Sequence, residues 1–111
     1  MKKVIGICFV LIGQLVYSQT SFKGENGKYG IKDEKGNVLL EPKYDLVNSF
    51  FQGSAMIKFN GKYGYIDKTG KEIVPPIYDE VGHKFNDVGL VRVKLNNKYG
   101  FADKTGKEVI A

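Results

Sequence analysis

Between Ser54 and Phe59 apolar and polar positions alternate, with Ala55, Ile57 and Phe59 on one side of an extended chain and Ser54, Met56 and Lys58 on the other. A period of two predicts a half-buried strand. Asn60-Gly61 follows, and Asn-Gly between two alternating runs predicts a type I′ hairpin turn. The chain returns from Lys62 to Asp67 with Tyr63 and Tyr65 on one face. Gly64 between them has no side chain, so another strand or ring can approach closely. Asp67-Lys68-Thr69-Gly70 predicts a second turn, because Asp accepts local backbone N–H bonds at the first position and Gly supplies the left-handed conformation at the fourth. A third strand covers Lys71 to Val74. Pro75-Pro76, and Pro42 earlier, are expected to end the third strands, since proline cannot donate to a ladder.

This grammar is written three times. Asn26 to Leu39 reads NGKYGIKDEKGNVL, Asn60 to Val74 reads NGKYGYIDKTGKEIV, and Asn96 to Ile110 reads NNKYGFADKTGKEVI, the starts lying 34 and 36 residues apart. The turn residues recur with it: Asp33 and Gly36, Asn60 and Gly61, Asp67 and Gly70, Asp103 and Gly106. After the prolines come Tyr44-Asp45 and Tyr78-Asp79, then Leu46 to Gly53 and Glu80 to Gly89, which carry the difference in repeat length. Phe50, Phe51 and Phe85 in these segments are expected to pack under the sheet. Leu90 to Leu95 repeats the strand at Ser54 to Phe59, with Val91, Val93 and Leu95 inward and Arg92 and Lys94 outward. The prediction is an all-β fold of short antiparallel strands and hairpins, in about two and a half tandem repeats at 26–59, 60–95 and a partial 96–111. They form an open array or meander in which each hairpin packs on the next. A closed propeller typically needs about four or more blades, so this chain does not make one alone.

The string Lys-Tyr-Gly-Tyr-Ile-Asp-Lys-Thr-Gly-Lys-Glu-Ile-Val-Pro-Pro-Ile-Tyr-Asp at 62–79 resembles the WG-repeat (KWG-type) proteins of bacteria, and the likeness covers residues 26 to 111. Tryptophan is absent, and Tyr29, Tyr63 and Tyr99 stand where that family usually has it. The resemblance implies a β-rich repeat module, often exported, whose motif is structural and carries no shared catalytic residue.

The first residues read differently. Lys2 and Lys3 precede an apolar run from Val4 to Val16, and Val16-Tyr17-Ser18 suits cleavage before Gln19. Residues 1–18 are therefore expected to be a signal peptide, with a signal helix, and 19–111 the repeat domain. The run is shorter than the ~20 residues a membrane span needs, so no stable span is expected after cleavage. Cys8 is the only cysteine and would leave with the signal peptide. The mature chain then has no disulfide, thiolate nucleophile or cysteine metal site. Of 17 basic and 12 acidic residues, losing Lys2 and Lys3 leaves 15 against 12, a net charge of +3. The remaining lysines are spread along the chain, whereas a nucleic-acid binder concentrates them in a patch. No nucleic-acid partner is expected.

Candidate chemistry is thin. Asp33, Asp67 and Asp103 recur with Glu72 and Glu108, but lysines occupy the positions where a calcium loop needs oxygen ligands. These acids read as turn caps and outward strand residues, and no metal is expected. His83 is the only histidine, and no nucleophile motif surrounds Ser21, Ser49 or Ser54. No glycine-rich phosphate loop opens a helix, so no cofactor is expected. The candidate binding surface is the set of repeat tyrosines, Tyr29, Tyr63, Tyr65 and Tyr99, which are either core rings with a wet hydroxyl or exposed platforms. The expectation is an exported module, periplasmic or secreted, that binds or scaffolds another protein and is not an enzyme. The alternative is a module binding polysaccharide or peptidoglycan through exposed tyrosines.

Overall fold

The computed structural model describes residues 19–109, so the signal peptide and signal helix expected over 1–18 lie outside the described residues. Among the described residues every regular element is a strand. In the first sheet β1 (Thr20–Lys23), β2 (Tyr29–Lys32) and β3 (Val38–Tyr44) lie side by side. The second holds β4 (Leu46–Val47), β5 (Ser54–Phe59), β6 (Lys62–Asp67) and β7 (Glu72–Tyr78) in that order. The third holds β8 (Glu80–Val81), β9 (Leu90–Leu95), β10 (Lys98–Asp103) and β11 (Glu108–Val109). All pairings are antiparallel between consecutive strands, so the chain is a meander cut into three tandem sheets at Asp45 and Asp79.

Local chemistry sets the hairpins. β5 and β6 pair from Ser54↔Asp67 to Phe59↔Lys62, closed by Asn60 and Gly61 at φ 51° and 83°. Positive φ at both central residues is what a two-residue turn needs to match the strand twist. The turn between β9 and β10 does the same with Asn96 and Asn97, at φ 54° and 66°. After β6, Gly70 N–H donates to the Asp67 carbonyl at 3.0 Å, and the Asp67 carboxylate accepts the Thr69 N–H at 2.8 Å and the Lys71 N–H at 3.0 Å. Asp33 and Asp103 hold the matching turns. Asn86 holds a further one, its amide oxygen accepting the Val88 and Leu90 N–H groups.

The third strands correct the expectation placed on proline. β7 runs through Pro75-Pro76 and β3 through Pro42, instead of ending before them. Both are edge strands, where a missing donor costs no ladder bond. The prolines sit in bulges. Tyr65 pairs with Val74 but Tyr63 with Tyr78, so the third strand takes four residues while β6 takes two. The bulge presses on Gly64, where a Cβ would lie 2.8 Å from the Pro75 carbonyl carbon and the Pro76 nitrogen. Gly30 faces the bulge at Pro42 in the same way.

Stacking of the sheets makes the core. The register places Ala55, Ile57, Gly64 and Ile66 on one face of the second sheet and Met56 and Tyr65 on the other. The first face meets Ile31, Tyr44 and Val47 in one buried cluster. The second meets Phe85, Val91, Val93 and Ala102 in another. β5, read as half-buried from its alternation, is thus covered on both sides. Phe85 and Phe50 join these clusters, but Phe51 is 52% exposed, turned outward by the tight turn at Gln52-Gly53, whose φ values are 53° and 83°.

The turn carboxylates give the fold an acid limit. Asn37 N–H holds Asp33 below the ordinary 3.8, and the Thr105 hydroxyl does so for Asp103. At Asp67 burial pushes upward, but the hydrogen bonds from Thr69 and Lys71 outweigh it and the net shift is also down. A carboxylate with a lower folded pKa stabilises the fold above its unfolded value, and that contribution is lost as pH falls through the folded one. The melting temperature is therefore expected to hold above the ordinary carboxylate value of 3.8 and to drop below it. Asp67→Asn should cost about 1 kcal/mol at neutral pH, where it weakens charge-assisted bonds. Its gap from wild type should close in acid, which melting curves across the pH range will show.

Candidate functional site

The seams between sheets use most of the recurring polar residues. Tyr44, at the end of β3, is 1% exposed and its hydroxyl donates across the first seam to Glu72 Oε2 at 2.6 Å. Tyr78 makes the same bond across the second seam, to Glu108 Oε1 at 3.3 Å. Burial and the neighbouring carboxylate raise both tyrosines above the usual phenol range. Glu72 and Glu108, read as outward strand residues, are thus the acceptors that satisfy two buried hydroxyls.

The next residue clamps the seam from outside. Asp45 accepts from Lys28 Nζ at 2.5 Å on the side of the first sheet and from the Asn60 N–H at 2.8 Å in the hairpin turn of the second. Asp79 accepts from Lys62 Nζ at 2.5 Å and from the Asn96 N–H at 2.9 Å. The lysines, followed by the backbone donors, hold both carboxyls below their ordinary range. Gly106 tucks its turn onto the sheet before it, with a Cβ position 2.7 Å from the Ile73 carbonyl oxygen, and Gly70 does so against Leu40.

The four candidate tyrosines fall into three environments. Tyr65 is 2% exposed, so it is a core ring and not part of a binding surface. It packs edge-on to Phe85 at 5.0 Å between centroids, its hydroxyl donates to the Gly82 carbonyl at 2.5 Å, and burial pushes its pKa up to about 12. The cause is the third sheet, which covers this face of β6. Tyr29 and Tyr63 are half-buried in the first and second seams. Tyr99 alone of the four is open, at 55% exposure.

Tyr99 lies on the outer face of the third sheet with Arg92, Lys94 and Phe101, by the register Arg92↔Phe101 and Lys94↔Tyr99. Arg92 Cζ sits 5.2 Å and Lys94 Nζ 5.4 Å from the Tyr99 ring centroid. Lys58 stands over Tyr63 at 5.4 Å in the preceding repeat, but Met56 replaces Arg92 there and packs into the core. This cationic face was not singled out from the sequence, although Arg92 is the only arginine in the chain.

Beside β8 the second seam opens into a groove of about 290 Å³ lined by Met56, Tyr63, Glu80, Gly82, His83 and Arg92. The carboxylates do not gather. Among the described residues no three His, Cys, Asp or Glu side chains converge as metal ligands would, and no helix is long and apolar enough to cross a membrane. The arrangement offers aromatic surface, cations and hydrogen-bond donors, which suits recognition.

The sequence comparisons agree with the repeat geometry. A family model described as "WG containing repeat" matches twice in tandem, over residues 29–63 and 63–99. No curated protein and no solved structure matches the chain.

Proposed function

The chain belongs to the WG-containing repeat family, and from that premise we propose that it is an exported, non-catalytic module that binds another protein in the cell envelope or outside the cell. The apolar run at Val4 to Val16 behind Lys2 and Lys3 supports export. We read the repeats as the KWG type found in bacteria, with Tyr29, Tyr63 and Tyr99 at the tryptophan position. The motif residues are used in holding sheet to sheet, so recognition falls to exposed side chains outside the seams.

The observation that carries the reading is the outer face of the third sheet. There Tyr99 is 55% exposed beneath Arg92 and Lys94. Exposed aromatics paired with arginine are typical anchors at protein interfaces. Tyr99→Ala should shift stability by no more than about 0.5 kcal/mol, as surface changes usually do. It should also abolish retention of the protein that wild type captures from envelope extract. Retention of the same protein by the variant overturns the assignment, and release of the captured material by soluble glycan favours the carbohydrate reading.

A further inference from the structure

The two seams are built from one motif with one aspartate clamp each, yet only the second adds Glu80, His83 and Arg92 beside it. The strand registers make the equivalents explicit: where the second seam has Glu80, His83 and Arg92, the first has Leu46, Ser49 and Met56. The connection below also differs, running from Glu80 to Gly89 in place of the shorter Leu46 to Gly53, so His83 is followed by an additional lysine, Lys84, before the core ring Phe85. Insertions in a repeat array collect in loops on one face, often the face that binds.

The groove these changes create has a defined chemistry. Met56 and half-buried Tyr63 provide an apolar floor. Arg92 and His83 lie at its rim, and among the described residues neither forms an ion pair with a carboxylate. Glu80 is engaged with Lys94 at 3.7 Å, and the guanidinium of Arg92, which stands over the Tyr99 ring, has no carboxylate partner among the described residues. A smaller cavity of about 60 Å³ continues past Met56 and His83 to Asn48, Ser49 and Lys84, adding donors and acceptors. Guanidinium binds carboxylate through two parallel N–H bonds, and an aromatic floor suits the C–H face of a sugar ring. A volume of about 300 Å³ is the lower end for small-molecule sites, enough for a single ring unit but not an extended chain.

We propose that this groove binds a carboxylate-bearing sugar residue of an acidic polysaccharide. The carboxylate pairs with Arg92, the ring lies against Tyr63 and Met56, and its hydroxyls reach His83 and the Asn48–Ser49 edge. The groove shares Arg92 with the protein-binding face, where the guanidinium stands over Tyr99 at 5.2 Å.

The test is an NMR titration of the labelled protein with digalacturonate, read at Met56, Tyr63, His83 and the Arg92 side chain. Saturable shifts at these residues are expected. Arg92→Gln should weaken binding about tenfold or more, the scale of one charge-assisted hydrogen bond. Lys98→Gln, which removes the same charge at an exposed site outside the groove, should leave affinity unchanged. An equal response to a neutral galactose disaccharide overturns the proposal, and so does tighter saturation by triglutamate, which would assign the groove to an acidic peptide. Shifts scattered over the lysines and equal in Arg92→Gln and Lys98→Gln also overturn it, since they would mean general attraction to a basic protein.

Discussion

Gly64→Ala is expected to destabilise the protein by about 3 kcal/mol, the upper end for forcing an atom into a packed interior. The added Cβ would meet the Val74 carbonyl oxygen, the Pro75 carbonyl carbon and the Pro76 nitrogen, the last two at 2.8 Å. All three are backbone atoms of a bulge stiffened by two prolines, so none can swing aside as a side chain would. Gly61→Ala, in the turn just before, is the control. Its φ is 83° and nothing lies within 4 Å of the added Cβ, so it should pay only the left-handed strain of about 1–2 kcal/mol. Urea midpoints measured together will rank the two. Equal midpoints would mean that the proline bulge relaxes away from β6. Small domains have about 5–15 kcal/mol in total, so Gly64→Ala removes a large share of the stability.

Tyr65→Ala should cost about 3–5 kcal/mol, the range for deleting a buried aromatic ring. The ring spans the second seam, packing on Phe85 from one sheet to the next, and its loss opens a cavity between two rigid surfaces. Tyr65→Phe keeps the ring and leaves the Gly82 carbonyl without its donor, for about 1 kcal/mol. The pair separates packing from hydrogen bonding. The hydroxyl also sets an alkaline limit. A folded pKa of about 12 against an ordinary 10.0 means that its contribution is present below 10.0 and is lost as pH rises through the folded value. Tyr65→Phe should therefore flatten the alkaline fall in melting temperature. A Tyr65→Ala variant as stable as wild type would show that the second seam is not a packed core.

The hairpins were legible because their causes are local. Asn-Gly needs only its own backbone to make a turn, and an Asp-x-x-Gly turn closes within five residues. Burial was harder, because alternation assigns residues to a face without saying what that face meets. Tyr63 and Tyr65 share a side of β6, yet one is half-buried and the other is core. The difference lies in how far Phe85 and the third sheet reach, from well downstream in the chain. The prolines misled for a related reason. Their missing donor matters only if another strand lies beyond, and none does beyond β3 or β7. Glu72 looked like a solvated carboxylate because its partner Tyr44 is 28 residues earlier. The groove at His83 and Arg92 exists only once two sheets are stacked. Its traces in the sequence were the longer connection at Glu80 to Gly89 and the lone histidine and arginine, His83 and Arg92.

The clamps at Asp45 and Asp79 also bear on how such a chain can lengthen by duplication. Each carboxylate takes a lysine from the sheet before it and a turn amide from the sheet after it, so the bond belongs to the period and not to a bounded block. A copied segment of one period carries a complete set of joint residues wherever its ends fall, whether cut at the aspartates, where the sheets change, or at the tyrosines, where the family matches meet. The piece that is inherited and the piece that folds need not share ends. Tandem growth in this architecture is therefore tolerant of where recombination breaks the gene, provided the spacing is kept.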